Sequence, residues 1–324
     1  MKKNILAALV TSAAMFGLLS APAVAQEFPP SKGVTLYVGF PPGGANDIAA
    51  RVIGKKLSEN LGVKVVVDNK PGAGGNIATN TVATGPSDGS VILLGSIGPL
   101  SIASHLMKIP YDPVKDIAPL AMGGSFPNVL LVSPESGIKS LKDLVDLAKK
   151  EPGKLTFAST GSGSASHLQG ELFNQRAGID IVHVPYKGSG PAMIDLIAGQ
   201  VQYAFETMSS ALPQIRAGKL KALGVASEMR NPQLPDTPTM TQAGVPLVMS
   251  AWYGVYMPAK TPQAVINKVN ADVNKTLNME DTKRRLETIG ATITPMSQAD
   301  FKAFHDAENK RYADVIKKNN IQVN

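Results

Sequence analysis

The chain has 324 residues, with 32 Lys or Arg against 25 Asp or Glu, for a formal charge of +7. It contains no cysteine, which excludes disulfides, a thiol nucleophile and thiolate metal sites. The basic surplus is scattered, without the basic runs and interleaved aromatics that nucleic-acid binding needs, so no nucleic-acid partner is expected.

Met1 to Ala25 reads as a secretory signal, with Lys2 and Lys3 at its start, an apolar stretch from Ile5 to Leu19 and an A-x-A site at Ala23-Val24-Ala25. The alternative, an uncleaved anchor, needs a longer apolar run than this one. Cleavage after Ala25 would leave a periplasmic chain starting at Gln26, with a charge of +5 from 30 basic and 25 acidic residues. No later segment approaches a membrane span. The remaining chain, about 300 residues, suggests two domains. Aromatics make up only 5%, so the core must rest on Val, Ile, Leu and Ala, as in parallel sheets covered by helices.

Val34 to Phe40 predicts a buried strand. A helix follows in which Asn46 or Asp47 can serve as cap and Ile48, Val52, Ile53 and Leu57 share a face, ended by Gly62. Val63 to Val67 predicts a strand, Pro71 to Gly75 a loop, Asn76 to Ala83 a helix, Gly85 to Gly89 a turn and Val91 to Leu94 a third strand. This βαβαβ alternation implies a parallel, doubly wound sheet. The pattern restarts at Val129–Val132, with Ser140 capping a helix that Pro152-Gly153 ends. Strands are expected at Leu155–Ala158, Val182–Val184, Val201–Phe205 and Leu220–Val225, with helices after the first two. Met229 to Pro246 reads as irregular. Then come a strand at Trp252–Met257, helices near Pro262–Leu277 and Asp281–Ile289, a short strand at Ala291–Thr294 and a long helix from Ser297 to about Asn319. A tail of this kind packs back on the first domain. The resulting division is residues 26–127 plus 249–324 for the first domain and 128–248 for the second, with hinge crossings near Phe126–Val132 and Val248–Val255.

Two glycine-rich loops carry the chemistry. The first runs through Phe40, Pro41, Pro42, Gly43, Gly44, Ala45, Asn46 and Asp47; the second through Ser159, Thr160, Gly161, Ser162, Gly163 and Ser164. Each lies between a strand and a helix. A helix N-terminus has unpaired N–H groups and partial positive charge, so two of them facing one cleft form a pincer for an anion, most simply a carboxylate. The first loop has neither the G-x-G-x-x-G of dinucleotide sites nor the Gly-Lys-Ser/Thr of a P-loop. His167 follows the second loop, as a packing residue or a ligand contact. Glu206 sits at the carboxyl end of a strand, where open α/β sheets bind ligands; it can accept from a ligand donor or bridge structural elements. Pro71–Asn76 is a third glycine-rich loop, either a tight turn or part of the same face. No G-x-S-x-G elbow and no H-x-x-x-H spacing occurs, so no catalytic, metal or cofactor site is assigned. An exported hydrolase using Ser162 or Ser164 is the enzymatic alternative.

With these segments in place, the chain resembles the Bug family, the periplasmic solute-binding proteins of tripartite tricarboxylate transporters. The resemblance rests on Phe40–Asp47 with Ala50-Arg51, Asn69–Asn76, Tyr111-Asp-Pro113, Phe157–Ser164 with His167-Leu168, and Val184–Gly188 with Pro191-Ala192. It implies an α/β two-domain Venus-flytrap fold, type II periplasmic binding protein-like, with doubly wound mixed sheets and a ligand cleft between domains. It further implies a carboxylate held by the two loops and a membrane permease as partner. A monomer is expected, and a sensor kinase is the alternative partner if the output is a signal. Three segments depart from the family pattern: Ala204-Phe205-Glu206 for Met-Phe-Asp, Ser87-Asp88-Gly89-Ser90 for Pro-Asp-Gly-Tyr, and Lys219–Val225 in place of Lys-Leu-Arg-Ala-Leu-Ala-Val. The longer acid at Glu206 leaves ligand identity open.

Overall fold

The structure is a computed structural model that describes residues 28–321; the signal-sequence expectation at residues 1–25 lies outside them. In chain order the elements are β1 (Val34–Val38), α1 (Ala45–Leu61), β2 (Val65–Asn69), α2 (Asn76–Ala83), β3 (Val91–Ser96), α3 (Ala103–Leu106), β4 (Ile117–Val132) and α4 (Leu141–Lys150). Then follow β5 (Thr156–Ser159), α5 (Ala165–Ala177), β6 (Val182–Pro185), α6 (Ser189–Ile197), β7 (Tyr203–Thr207), α7 (Met208–Arg216) and β8 (Lys221–Val225). The chain closes with β9 (Ser250–Pro258), α8 (Gln263–Leu277), α9 (Glu280–Glu287) and α10 (Gln298–Lys318).

Strand order is β2-β1-β3-β9-β4-β7-β5-β6, with β8 also on β4. β1 runs parallel to β2 and β3, and β5 runs parallel to β6 and β7. The long strand β4 belongs to both halves. Its Ile117–Pro127 stretch pairs antiparallel with β9, and Asn128–Val132 pairs antiparallel with β7 and β8. The partner exchange falls between Pro127 and Asn128. This is the expected α/β two-lobe architecture with mixed sheets.

Each half buries its own apolar layer. Leu36, Val38, Ile53, Leu57, Leu94, Val255 and Val269 pack α1 and α8 against the first sheet. Val129, Leu131, Leu196, Ala204, Met208 and Leu212 pack α6 and α7 against the second. A third cluster, including Leu93, Leu130, Phe157, Phe173, Phe205, Tyr256 and Phe301, runs through both. Each fully buried Val, Leu, Ile, Phe or Met among these contributes about 1.5–3 kcal/mol by leaving water. The tail packs on the segment that follows β3: Asn309 Nδ2 donates to the Leu100 carbonyl at 2.8 Å, and the His305 Nε2 lies 3.2 Å from it. It also touches the second lobe, where Gln175 Nε2 donates to the Asn319 carbonyl at 2.7 Å.

Two local expectations are corrected, and one helix is added to them. The strand at Ala291–Thr294 is a single bridge, Thr292 to Ser125, formed where the β4 ladder shifts register. The segment after Glu206 is a nine-residue helix, α7, despite Pro213 inside it; at that position proline removes only the bond to the Ser209 carbonyl. At α1 the N-cap is Gly44, so neither Asn46 nor Asp47 occupies the cap position.

Candidate functional site

The first loop is clamped from behind. Asp47, the third residue of α1, reaches back so that its Oδ2 accepts the Gly43 N–H at 2.9 Å and Arg51 Nε at 2.9 Å. Its Oδ1 accepts Asn69 Nδ2 at 3.0 Å, and the same Nδ2 donates to the Phe40 carbonyl at 2.9 Å. Burial pushes the Asp47 carboxyl up, but hydrogen bonds from Arg51, Gly43 and Asn69, with the Arg51 charge, hold it below its ordinary value. With its negative charge spent on this clamp, the loop presents backbone outward.

The second loop is clamped in a parallel way. Ser164 caps α5, its Oγ accepting the His167 N–H at 3.3 Å. His167 Nδ1 accepts the Gly163 N–H at 3.1 Å, and its ring stacks on His183 with centroids 3.9 Å apart. His183 Nε2 lies 2.6 Å from Ser159 Oγ, which also accepts the Gly161 N–H at 3.1 Å. Burial holds His167 down at about 4 and His183 at about 3, the latter further lowered by His167. Both rings are therefore neutral, as the Gly163 bond requires.

The third loop seals the seam between the lobes. Gly74 and Gly161 meet backbone to backbone: a Cβ on Gly74 would lie 2.7 Å from the Ser162 carbonyl oxygen, and one on Gly161 would lie 2.7 Å from Gly74 N. Their φ angles of +64° and +131° are open to glycine.

A cavity of about 320 Å³ lies beside this seam, walled by both lobes. Of the sequence candidates, Phe40, Pro41, Gly43, Gly44, Ala45, Asn46, Thr160, Ser164 and Glu206 line it. Asp47, Ser159, Gly161, Ser162, Gly163 and His167 do not; they hold the loops from behind or form the seam. The first helical bonds at this end are Ile48 N–H to Gly44 O and Leu168 N–H to Ser164 O. The amides of Ala45, Asn46, Ala165 and Ser166 therefore lack an intrahelical acceptor, and all four residues line the cavity.

Sequence reasoning missed the rest of the wall. Ser96–Gly98, Phe126, Asn128, Ser189, Gly190, Met193, Thr207, Ser209, Ser210, Pro213 and Gln214 along α7, and Ala251–Tyr253 also line the cavity. The run Thr207-Met208-Ser209-Ser210 carried a usable signal, since hydroxyl residues cluster at helix starts. Glu206, 2% exposed, accepts from Ser189 Oγ at 2.7 Å. Burial pushes its carboxyl up to about 7, opposed by the Ser189 and Thr207 hydrogen bonds. Among the described residues no Lys, Arg or His lines the cavity, and Glu206 is its one carboxyl side chain. The described residues hold no group of three or more candidate metal ligands. Ser164 Oγ is occupied by the helix cap and Ser162 is off the wall, so neither serine is set up as a nucleophile. The geometry suits holding an anion by aligned amides rather than making or breaking a bond.

A profile of the tripartite tricarboxylate transporter family receptor matches residues 49–321. Protein BugT of Bordetella pertussis is 37% identical over 302 residues, covering 92% of this chain and 92% of BugT. Among solved structures, MatC from Rhodopseudomonas palustris with bound malate superposes with a TM-score of 0.85 at 33% identity, covering 89% of this chain and 99% of that one. A second R. palustris protein, solved with adipate, gives a TM-score of 0.86 at 34% identity, covering 91% and 99%. These are receptors and binding proteins, not enzymes.

Proposed function

The chain belongs to the tripartite tricarboxylate transporter receptor family, and we propose that it captures a small carboxylate between its two lobes and delivers it to the membrane permease of such a transporter. The observation that carries the reading is the cavity wall itself: two helix starts, at Ala45 and Ala165, whose first amides lack an intrahelical acceptor, line one cavity that has no Lys, Arg or His among the described residues. Charge-assisted hydrogen bonds from those amides supply the anion's counter-dipole, and Phe40, Phe126, Phe205 and Trp252 cover its apolar body. Malate in MatC and adipate in the second relative support a carboxylate as ligand class.

On this reading Asp47, Ser159, Gly161, Ser162, Gly163 and His167 are positioning residues, and the wall residues make the contacts. The lobes are 26–127 plus 249–324 and 128–248, an assignment supported by the exchange of β4 partners at Pro127/Asn128. Closure is a hinge motion about β4 and the start of β9. Export to the periplasm rests on the Met1–Ala25 pattern. The test is a thermal-shift and calorimetric screen of Gln26–Asn324 against aspartate, glutamate, malate, succinate, adipate, citrate, nicotinate and terephthalate. A ligand at about 100 times its Kd adds roughly 2.7 kcal/mol to the native state, a shift of several degrees. No response from any of them, before or after unfolding and refolding to strip bound ligand, overturns the carboxylate reading.

A further inference from the structure

Glu206 is a buried carboxyl on the wall of a cavity proposed to hold anions, and among the described residues no Lys, Arg or His lines that cavity. Every element around it is uncharged at the point of contact or spends its charge elsewhere. Across the β4–β7 ladder it meets Val129, with Asn128 beside Thr207. β5 is Thr-Phe-Ala-Ser and carries no ionisable group. On β6, His183 is engaged by Ser159. On α6, Asp195 accepts the Tyr186 hydroxyl at 2.7 Å. On α7 the one charge, Arg216, lies in the last turn, away from Glu206. Across the cavity, Asp47 is bound to Arg51 and Asn69 and is off the wall. What does approach Glu206 is polar and neutral: Ser189 Oγ, and on the same wall Thr207, Ser209, Ser210 and Gln214.

A ligand with one carboxylate on the loop amides brings any second carboxylate against this wall. Two carboxylates sharing a site without a cation cannot both stay ionised, and one of them holds a proton. We propose that the cavity binds dicarboxylates together with one proton, shared between Glu206 and the ligand's second carboxylate. The proposal rests on the carboxylate reading of the same site. The proton comes from solvent: ionised Glu206, the dianion and one proton combine, Glu206 donates to the ligand, and Ser189 Oγ donates to Glu206. The tendency of the buried side chain to hold a proton near neutrality, caused by its desolvation, points the same way.

Linkage then fixes the outcome. Titration calorimetry with malate, succinate and adipate from pH 6 to 8.5, in buffers of different ionisation enthalpy, should show about one proton taken up per ligand bound at the alkaline end. Kd should rise about tenfold per pH unit above 7. Glu206→Gln keeps a hydrogen-bond donor of the same shape without a titrating proton. It should take up no proton, bind with a pH-independent Kd, and bind at least tenfold more tightly than the parent at pH 8.5. A flat parent Kd with no proton uptake overturns the proposal, as does an unchanged slope in Glu206→Gln. If the variant fails to fold, the proton count of the parent still decides. Nicotinate, which has a single carboxylate, is run alongside, with aspartate and glutamate as further diacids. If nicotinate binds and no diacid does, the proton-linked proposal falls and the carboxylate site stands; if nothing binds, both fall.

Discussion

Replacing Gly74 by alanine tests whether the seam between the lobes is part of ligand capture. Two costs follow from the geometry. The first is intrinsic: φ is +64° at this position, and alanine there loses about 1 kcal/mol relative to glycine whether the lobes touch or not. The second exists only when the seam is made, because the new methyl would sit 2.7 Å from the Ser162 carbonyl oxygen and 3.3 Å from Ser164 N. Overpacking of this kind costs about 1–3 kcal/mol, and it is charged to closure rather than to folding. Gly74→Ala should therefore weaken the bound ligand by about 5- to 150-fold, while the ligand-free protein melts only about 2 °C lower. Gly178 provides the control: its φ is +62° but nothing lies within 4 Å of a methyl there, so Gly178→Ala should lower the melting point equally and leave Kd alone. Calorimetry gives Kd, and small-angle scattering gives the radius of gyration, which should be larger for Gly74→Ala in the presence of ligand. If Gly74→Ala binds as tightly as the parent, the seam is a static contact and the closure argument is wrong.

Other outcomes follow from the two clamps and the cavity wall. Asp47→Ala removes the acceptor for Gly43, Arg51 and Asn69 and should cost about 2–4 kcal/mol of stability by denaturant titration, weakening binding through the loosened loop; unchanged stability would contradict the clamp. His167 and His183 have folded pKa values below their ordinary ones, so their burial is harmless above about pH 6.5 and destabilises as pH falls, by about 2 kcal/mol each at pH 5. Glu206 has the opposite sign: its raised pKa favours the fold below its ordinary value of 4.5, and that advantage is lost as pH rises through about 7. Thermal melts should consequently peak near pH 6–7, with His167→Asn flattening the acid limb and Glu206→Gln the alkaline one. Trp252 is the single tryptophan of the chain and lines the cavity while its Nε1 donates to Glu308 at 3.0 Å. Ligand should therefore change the intrinsic fluorescence, and Trp252→Phe should abolish the signal; a spectrum indifferent to a calorimetrically bound ligand would place the ligand elsewhere.

The alternation of strand and helix was legible because each strand is a short Val/Ile/Leu run and each following helix has a glycine stop or a serine cap. Asn76–Ala83 matches to the residue, and Ser140 caps α4 with Asp143 completing the reciprocal pair. The two loops were legible because glycine beside a helix start has a local cause. What stayed hidden depends on partners distant in sequence. The continuity of β4 through Gly123-Gly124 shows only once β9 pairs along it with shifted register. Helix α7, to which the sequence reading assigns nothing, carries Pro213, a residue that disfavours a helix interior. In the sequence Asp47 reads as a helix cap or a ligand group, and His167 as a packing residue or a ligand contact, because each sits in a first helical turn. Only the approach of Asn69 to Asp47 Oδ1, and the Gly163 N–H on His167 Nδ1, shows that both side chains hold their loops from behind.

The most direct measurement is a crystal structure of Gln26–Asn324 with whichever carboxylate the screen selects. The account predicts a carboxylate whose oxygens lie about 2.7–3.2 Å from N–H groups of both loops, directly or through one water, among Gly44–Asn46 on one side and Ala165–Ser166 on the other. No lysine or arginine should approach it. A ligand whose carboxylate is paired with a basic side chain, or held by one lobe alone, would contradict the account.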